Sequence, residues 1–112
     1  MSEEDIERFT NEFFERMHMP ESISSDPAER RMMASFIGSG YDKLNDIACG
    51  KEIDYTADTR AYELLYNYCF YARNDALDKF DTAYSGALNE LRVRARLGKV
   101  IFKGGEDNAE NP

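Results

Sequence analysis

The chain has 112 residues with a single histidine, two cysteines and no tryptophan, and its 14 basic and 22 acidic side chains give a net charge of −8. That length supports one domain able to bury a core without disulfides. The acidic excess excludes wrapping of nucleic acid, because neutralising phosphates requires Lys and Arg.

The charge is unevenly placed. Residues 1–91 carry 9 basic and 19 acidic side chains, a net −10, whereas residues 92–103 carry five basic and no acidic ones. The last nine residues return to −3. The start Met-Ser-Glu-Glu-Asp is acidic where a secretory signal is basic, which points to a protein made in the cytoplasm. Cys49 and Cys69 lack metal-ligand spacing and read as small core hydrophobes in a reducing compartment.

Ser2, Glu3, Glu4 and Asp5 form a helix start, with Ser2 as the cap. Ile6, Phe9, Phe13 and Met17 then recur every three or four residues, predicting an amphipathic helix over Glu3–His18. Pro20 stops it, and Glu21–Ser25 reads as a linker. His18 at the helix end reads as a partner for the C-terminal dipole.

Asp26-Pro27-Ala28-Glu29 opens a second helix: Asp26 accepts from free backbone N–H groups and Pro27 has its φ preset. Met33, Ile37, Leu44 and Ile47 with Ala48 make its buried face. Gly38 and Gly40 are poor interior residues, so either a neighbour comes close there or the helix bends. Gly50 is the stop. Lys51–Ala57 reads as a short extended segment, with Ile53 and Tyr55 alternating with Asp54 and Thr56. Thr56, Asp58 or Thr59 then caps the next helix.

That helix, in the stretch Arg60–Ala83, is the organising element. Ten of the twelve residues Ala61–Ala72 are apolar or aromatic, interrupted only by Glu63 and Asn67. A helix so apolar is buried on most sides, and this one is too short for a membrane span. After Arg73-Asn74-Asp75 the apolar pattern resumes with Ala76, Phe80, Tyr84, Leu88, Leu91 and Ala95. Either one kinked helix or two helices broken near Asn74–Asp75 fit, and the break is preferred. The expected core is Met33, Ile37, Leu44, Ile47, Leu64, Leu65, Tyr68, Cys69, Ala72, Leu77, Phe80, Tyr84, Leu88 and Leu91.

Leu91–Leu97 alternates apolar residues with Arg92, Arg94 and Arg96. This fits a strand, or the last turns of a helix whose arginines face the negative dipole end. Val100-Ile101-Phe102 is a short apolar hook, and residues 103–112 read as a disordered acidic tail. Residues 1–102 are therefore one all-α domain: a small bundle of three to four main helices around a long, aromatic-rich central one.

No chemistry stands out. One histidine permits no two-histidine metal site. Gly38-Ser39-Gly40 lacks the Lys-Ser/Thr of a phosphate loop. The pairs Asp42/Asp46 and Asp78/Asp81 look like solvated helix faces. The expectation is no enzyme, no cofactor and no metal. Arg92, Arg94, Arg96 and Lys99, with the hook Val100, Ile101 and Phe102, are the candidate assembly surface, because a basic patch on an acidic chain suits head-to-tail contact between copies.

The segment Glu63–Tyr84, with its apolar helix ending Tyr71-Ala72-Arg73-Asn74-Asp75-Ala76-Leu77-Asp78, the aromatics Phe80 and Tyr84, and then Leu88-Asn89-Glu90-Leu91-Arg92, resembles the head–tail connector (head-completion or adaptor) proteins of tailed bacteriophages. The helix ending Ala48-Cys49-Gly50-Lys51 and the extended Ile53-Asp54-Tyr55 are similar too, so the likeness spans roughly residues 28–96. The charged Arg-Val-Arg-Ala-Arg run and the hook depart from it. The resemblance implies a virion protein forming a ring of about a dozen copies below the portal protein. Such a ring extends the DNA channel without gripping DNA and offers a docking surface to tail or stopper proteins. The alternative is a small acidic regulatory protein-binding module, antitoxin-like or a DNA-mimic inhibitor.

Overall fold

The computed structural model describes residues 1–104, and within them the fold is all-α. Six helices run in order: α1 Glu3–Arg16, α2 Glu21–Ser24, α3 Pro27–Ile47, α4 Thr59–Arg73, α5 Phe80–Ala83 and α6 Ser85–Arg96, with a single 3-10 turn at Leu77–Lys79 before α5. None is long and apolar enough to cross a membrane. The tail expected at 103–112 lies, from residue 105, outside the described residues. Lys103 is anchored: its N–H donates to the Glu52 carbonyl at 2.9 Å and its Nζ to Asp5 at 3.1 Å.

The helix starts follow the capping residues. Ser2 accepts from the Asp5 N–H, Asp26 from Glu29, and Asp58, of the three candidates, from Ala61. α1 ends two residues before the expected His18, because His18 takes a left-handed φ of 57° and closes the helix. The segment read as a linker contains the turn α2.

α3 is the longest helix and the centre of the packing, with α1, α4 and α6 against it. α4 runs antiparallel to it, so that Glu29 near the start of α3 meets Arg73 at the end of α4 at 3.0 Å. Gly40 explains one of the two interior glycines. A Cβ there would lie 2.7 Å from the Tyr68 ring and 2.8 Å from Leu65, whereas nothing approaches Gly38. The close approach of α3 and α4 thus depends on a missing side chain at one position only.

The core gathers Phe9, Phe13 and Phe14 of α1, Met33, Ile37 and Leu44 of α3, Leu64, Leu65, Tyr68 and Cys69 of α4, and Phe80, Leu88 and Leu91 beyond. Edge-on ring contacts join α1 to α4 through Phe13 with Tyr62 and Tyr66, and join α4 to α5 through Tyr68 and Tyr71 with Phe80. Arg16 clamps the same α1–α4 seam, making two 3.0 Å bonds to Glu63 and stacking 3.8 Å from the centre of the Tyr66 ring.

The expected core needs four corrections. Leu77 is 38% exposed, because α4 stops at Arg73 and the chain turns through Asp75, φ 57°, into the 3-10 turn. Helical spacing from α4 therefore no longer applies at Leu77. Ile47 and Ala72 within their helices, and Tyr84 at the junction of α5 and α6, are only half-buried. Cys49, read as a core residue, is exposed at the end of α3, and Cys69 is buried. Unanticipated core members are Phe14, Ile53, Tyr55, Val100 and Phe102.

Candidate functional site

The C-terminal basic run is helical through Arg96, which resolves the strand-or-helix ambiguity: Leu88, Leu91 and Ala95 face the core at three- and four-residue spacing. The run ends when Gly98 takes a φ of 71°. The Lys99 N–H donates to the Arg94 carbonyl at 2.8 Å, and the chain folds back along Lys51–Asp54.

The seven residues expected at the assembly surface divide into two groups. Arg94 turns inward, donating to Asp58 at 3.1 Å and to the Lys99 carbonyl at 3.0 Å. Asp58, only 2% exposed, also accepts from the Ile101 N–H at 3.0 Å. Val100 and Phe102 are buried. The hook is extended, so successive side chains alternate in direction: Val100 and Phe102 point inward and Ile101 outward. Phe102 pairs with Ile53 in an isolated antiparallel bridge, supported by the Asp54 N–H donating to the Ile101 carbonyl at 2.9 Å. Arg94, Val100 and Phe102 are therefore internal structure rather than free surface.

Arg92, Arg96, Lys99 and Ile101 are exposed. Val93 on the outer side of α6 and Leu97 at its end are exposed too, the latter 63%. Among the described residues, none of these cations is in an ion pair; Arg92 reaches only Asn89, at 3.4 Å. Arg92 and Arg96 line a cleft of about 300 Å³ with Asp46, Ile47 and Cys49 at the end of α3. The sequence reading missed Val93 and Leu97. The signal was present: residues 93 and 97 fall four apart on the side of α6 opposite Leu88, Leu91 and Ala95, and residues 92 and 96 fall four apart on the flank between.

The other surfaces are less developed. His18, expected as a dipole partner, is exposed beyond the end of α1. Asp42, Asp46, Asp78 and Asp81 are exposed, with Asp81 paired to Lys43 at 3.0 Å. No group of three His, Cys, Asp or Glu side chains among the described residues converges as a metal would require. A cleft of about 260 Å³ between α1 and α4 is lined by Arg8, Phe9, Glu12, Tyr55, Thr56, Thr59 and Tyr62. Two of its polar contacts are internal, Arg8 donating to Thr56 at 2.6 Å and Tyr62 to Glu12 at 2.6 Å, while Arg8 Nε is buried without a partner. Burial and the Glu12 carboxylate push the Tyr62 phenol up to about 12.

The chain matches no family model, no curated protein and no solved structure. Its geometry therefore has to carry the functional reading.

Proposed function

We propose that this chain is a structural subunit of a head–tail connector in a tailed-bacteriophage virion, forming a ring of about a dozen copies beneath the portal protein. The observation that carries this reading is the outer face of α6. Arg92 and Arg96, in no ion pair among the described residues, lie next to exposed Val93 and Leu97 there, on a chain whose first 91 residues carry a net −10. A face that is both cationic and apolar suits burial against an acidic surface, and in this protein the acidic surface is its own. Contacts between unlike faces of identical copies close into rings when the rotation from copy to copy closes.

The likeness of residues 28–96 to connector proteins supports the same reading and supplies the partners: portal protein on one side, tail or stopper proteins on the other. Acidic walls repel phosphates, so DNA would pass through such a ring without being held. No step of catalysis belongs to this role.

Native mass spectrometry of the purified chain, over a range of concentrations and at two salt levels, tests it. A discrete closed species near a dozen copies that weakens at high salt is the expected result. A tight dimer would instead favour a small acidic regulatory module.

A further inference from the structure

We infer that the surface receiving the α6 face is the outer stripe of α1 on a second copy of this chain, an inference that rests on the ring reading above. Glu3, Glu7 and Glu15 fall on a four-residue repeat with Asn11 between them, and Glu4 flanks the stripe; all five are exposed. Among the described residues, none of these four carboxylates is in an ion pair. The neighbouring Asp5 and Glu12 are already engaged, by Lys103 and Tyr62.

Beside the stripe runs an open groove of about 370 Å³ between α1 and α3. It is lined by Glu3, Ile6, Glu7, Thr10 and Ala34 together with Arg30 and Arg31. Arg30 is held by the neutral Ser24 carbonyl and Asn11, each at 2.7 Å, so it and Arg31 both offset Glu3 and Glu7 in the groove, and the net acidity of this side comes from the wider stripe with Glu4 and Glu15. Ile6 and Ala34 give the groove an apolar floor. The stripe's unpaired carboxylates complement Arg92 and Arg96, and the apolar floor beside them gives Leu97 a place to bury.

A single copy cannot satisfy itself. The groove meets α3 at Arg31, whereas the cationic face meets it at Asp46. At 1.5 Å per residue these points are about 22 Å apart along α3. Each copy therefore offers a donor face and an acceptor face at separate places, which is the polarity a head-to-tail ring requires.

The test uses two charge-reversed full-length chains, Arg92→Glu/Arg96→Glu and Glu3→Lys/Glu7→Lys, with native mass spectrometry as the readout and circular dichroism as the check on folding. All four positions are exposed, so both variants are expected to stay helical. Each alone is expected to lose ring formation, with subunit affinity lower on the order of tenfold per reversed pair. An equimolar mixture is expected to restore assemblies with even copy numbers, in which the two variants alternate. If Glu3→Lys/Glu7→Lys assembles as the unmodified chain does, the α1 assignment is overturned and the ring reading stands. If the mixture stays monomeric while the unmodified chain forms rings, the pairing of α1 with α6 is wrong. If the unmodified chain never self-associates, ring and pairing fall together.

Discussion

Replacing Asp58 with Ala is expected to cost about 3 kcal/mol, because it leaves the half-buried Arg94 guanidinium without its carboxylate and uncaps α4. Its two oxygens serve Ala61 at the helix start, Arg94 on α6 and Ile101 in the hook. Asp58→Asn keeps an oxygen for the cap but loses the charge facing Arg94. It should fall between Ala and the unmodified chain in urea unfolding, and equal stability of Asn and Asp would refute a role for the charge. The glycine pair makes a second residue-scale contrast. Gly40→Ala places a methyl group against Tyr68 and Leu65 and should cost about 1–3 kcal/mol. Gly38→Ala enters open space and should gain about 0.5–1 kcal/mol by reducing the freedom of the unfolded chain. Opposite signs from two glycines two residues apart would locate the α3–α4 contact directly.

At the scale of elements, the helix ends share one device. α1, α3, α4 and α6 each close on a left-handed residue: His18, Cys49, Asp75 and Gly98. In each case the next N–H reaches back to a carbonyl inside the helix, as Met19 does to Phe14, Gly50 to Asn45, Ala76 to Tyr71 and Lys99 to Arg94. Only one of these closing residues is a glycine, so the other three hold an unfavourable φ. Cys49→Gly should therefore raise stability by about 1 kcal/mol, read as a higher melting temperature, and an unchanged value would show that the strain is relieved locally. The hook behaves as a structural element despite its length. Phe102→Ala should cost about 3 kcal/mol by emptying the space against Ile53 and loosening the Asp54–Ile101 bridge. If it abolished assembly without changing stability, Phe102 would instead be a surface contact.

For the whole molecule, the buried and half-buried tyrosines set the alkaline limit. Burial raises the phenols of Tyr41, Tyr55, Tyr62, Tyr68 and Tyr84, and the Glu52 and Glu12 carboxylates reinforce this at Tyr41 and Tyr62. A phenol raised in the folded state contributes stability that is complete below its ordinary value of 10.0 and is lost as pH rises through the raised value. Unfolding should accordingly begin above about pH 10, with phenolate absorbance rising cooperatively with loss of helix. Independent, gradual ionisation would contradict it. At acid pH, Asp5 is lowered by its bond from Lys103 and Glu52 by its bond from Tyr41, from ordinary values of 3.8 and 4.5. Their contribution is present above those values and fades as pH falls through the lowered ones. Both carboxylates are solvent-accessible, so the loss should be modest.

The sequence by itself determined the helices and much of their inner faces. Caps, prolines and three- or four-residue spacing act over a single turn, and that local chemistry was legible in Ser2, Asp26, Pro27 and the run Ala61–Ala72. The break after Arg73 was legible too, because Asn74 and Asp75 suit a helix end. What only the tertiary structure decided was direction and partnership between segments distant in sequence. Asp58 meets Arg94 across 36 residues. Val100 and Phe102 turn inward while Ile101 turns out, although all three are equally apolar. Gly40 rather than Gly38 lies under α4. Leu77 leaves the core because a left-handed Asp75 resets the helical register. Periodicity measures how residues face relative to their neighbours along one helix. It carries no information about which remote carboxylate neutralises an arginine, and that pairing separates the half-buried Arg94 from the exposed Arg92 and Arg96.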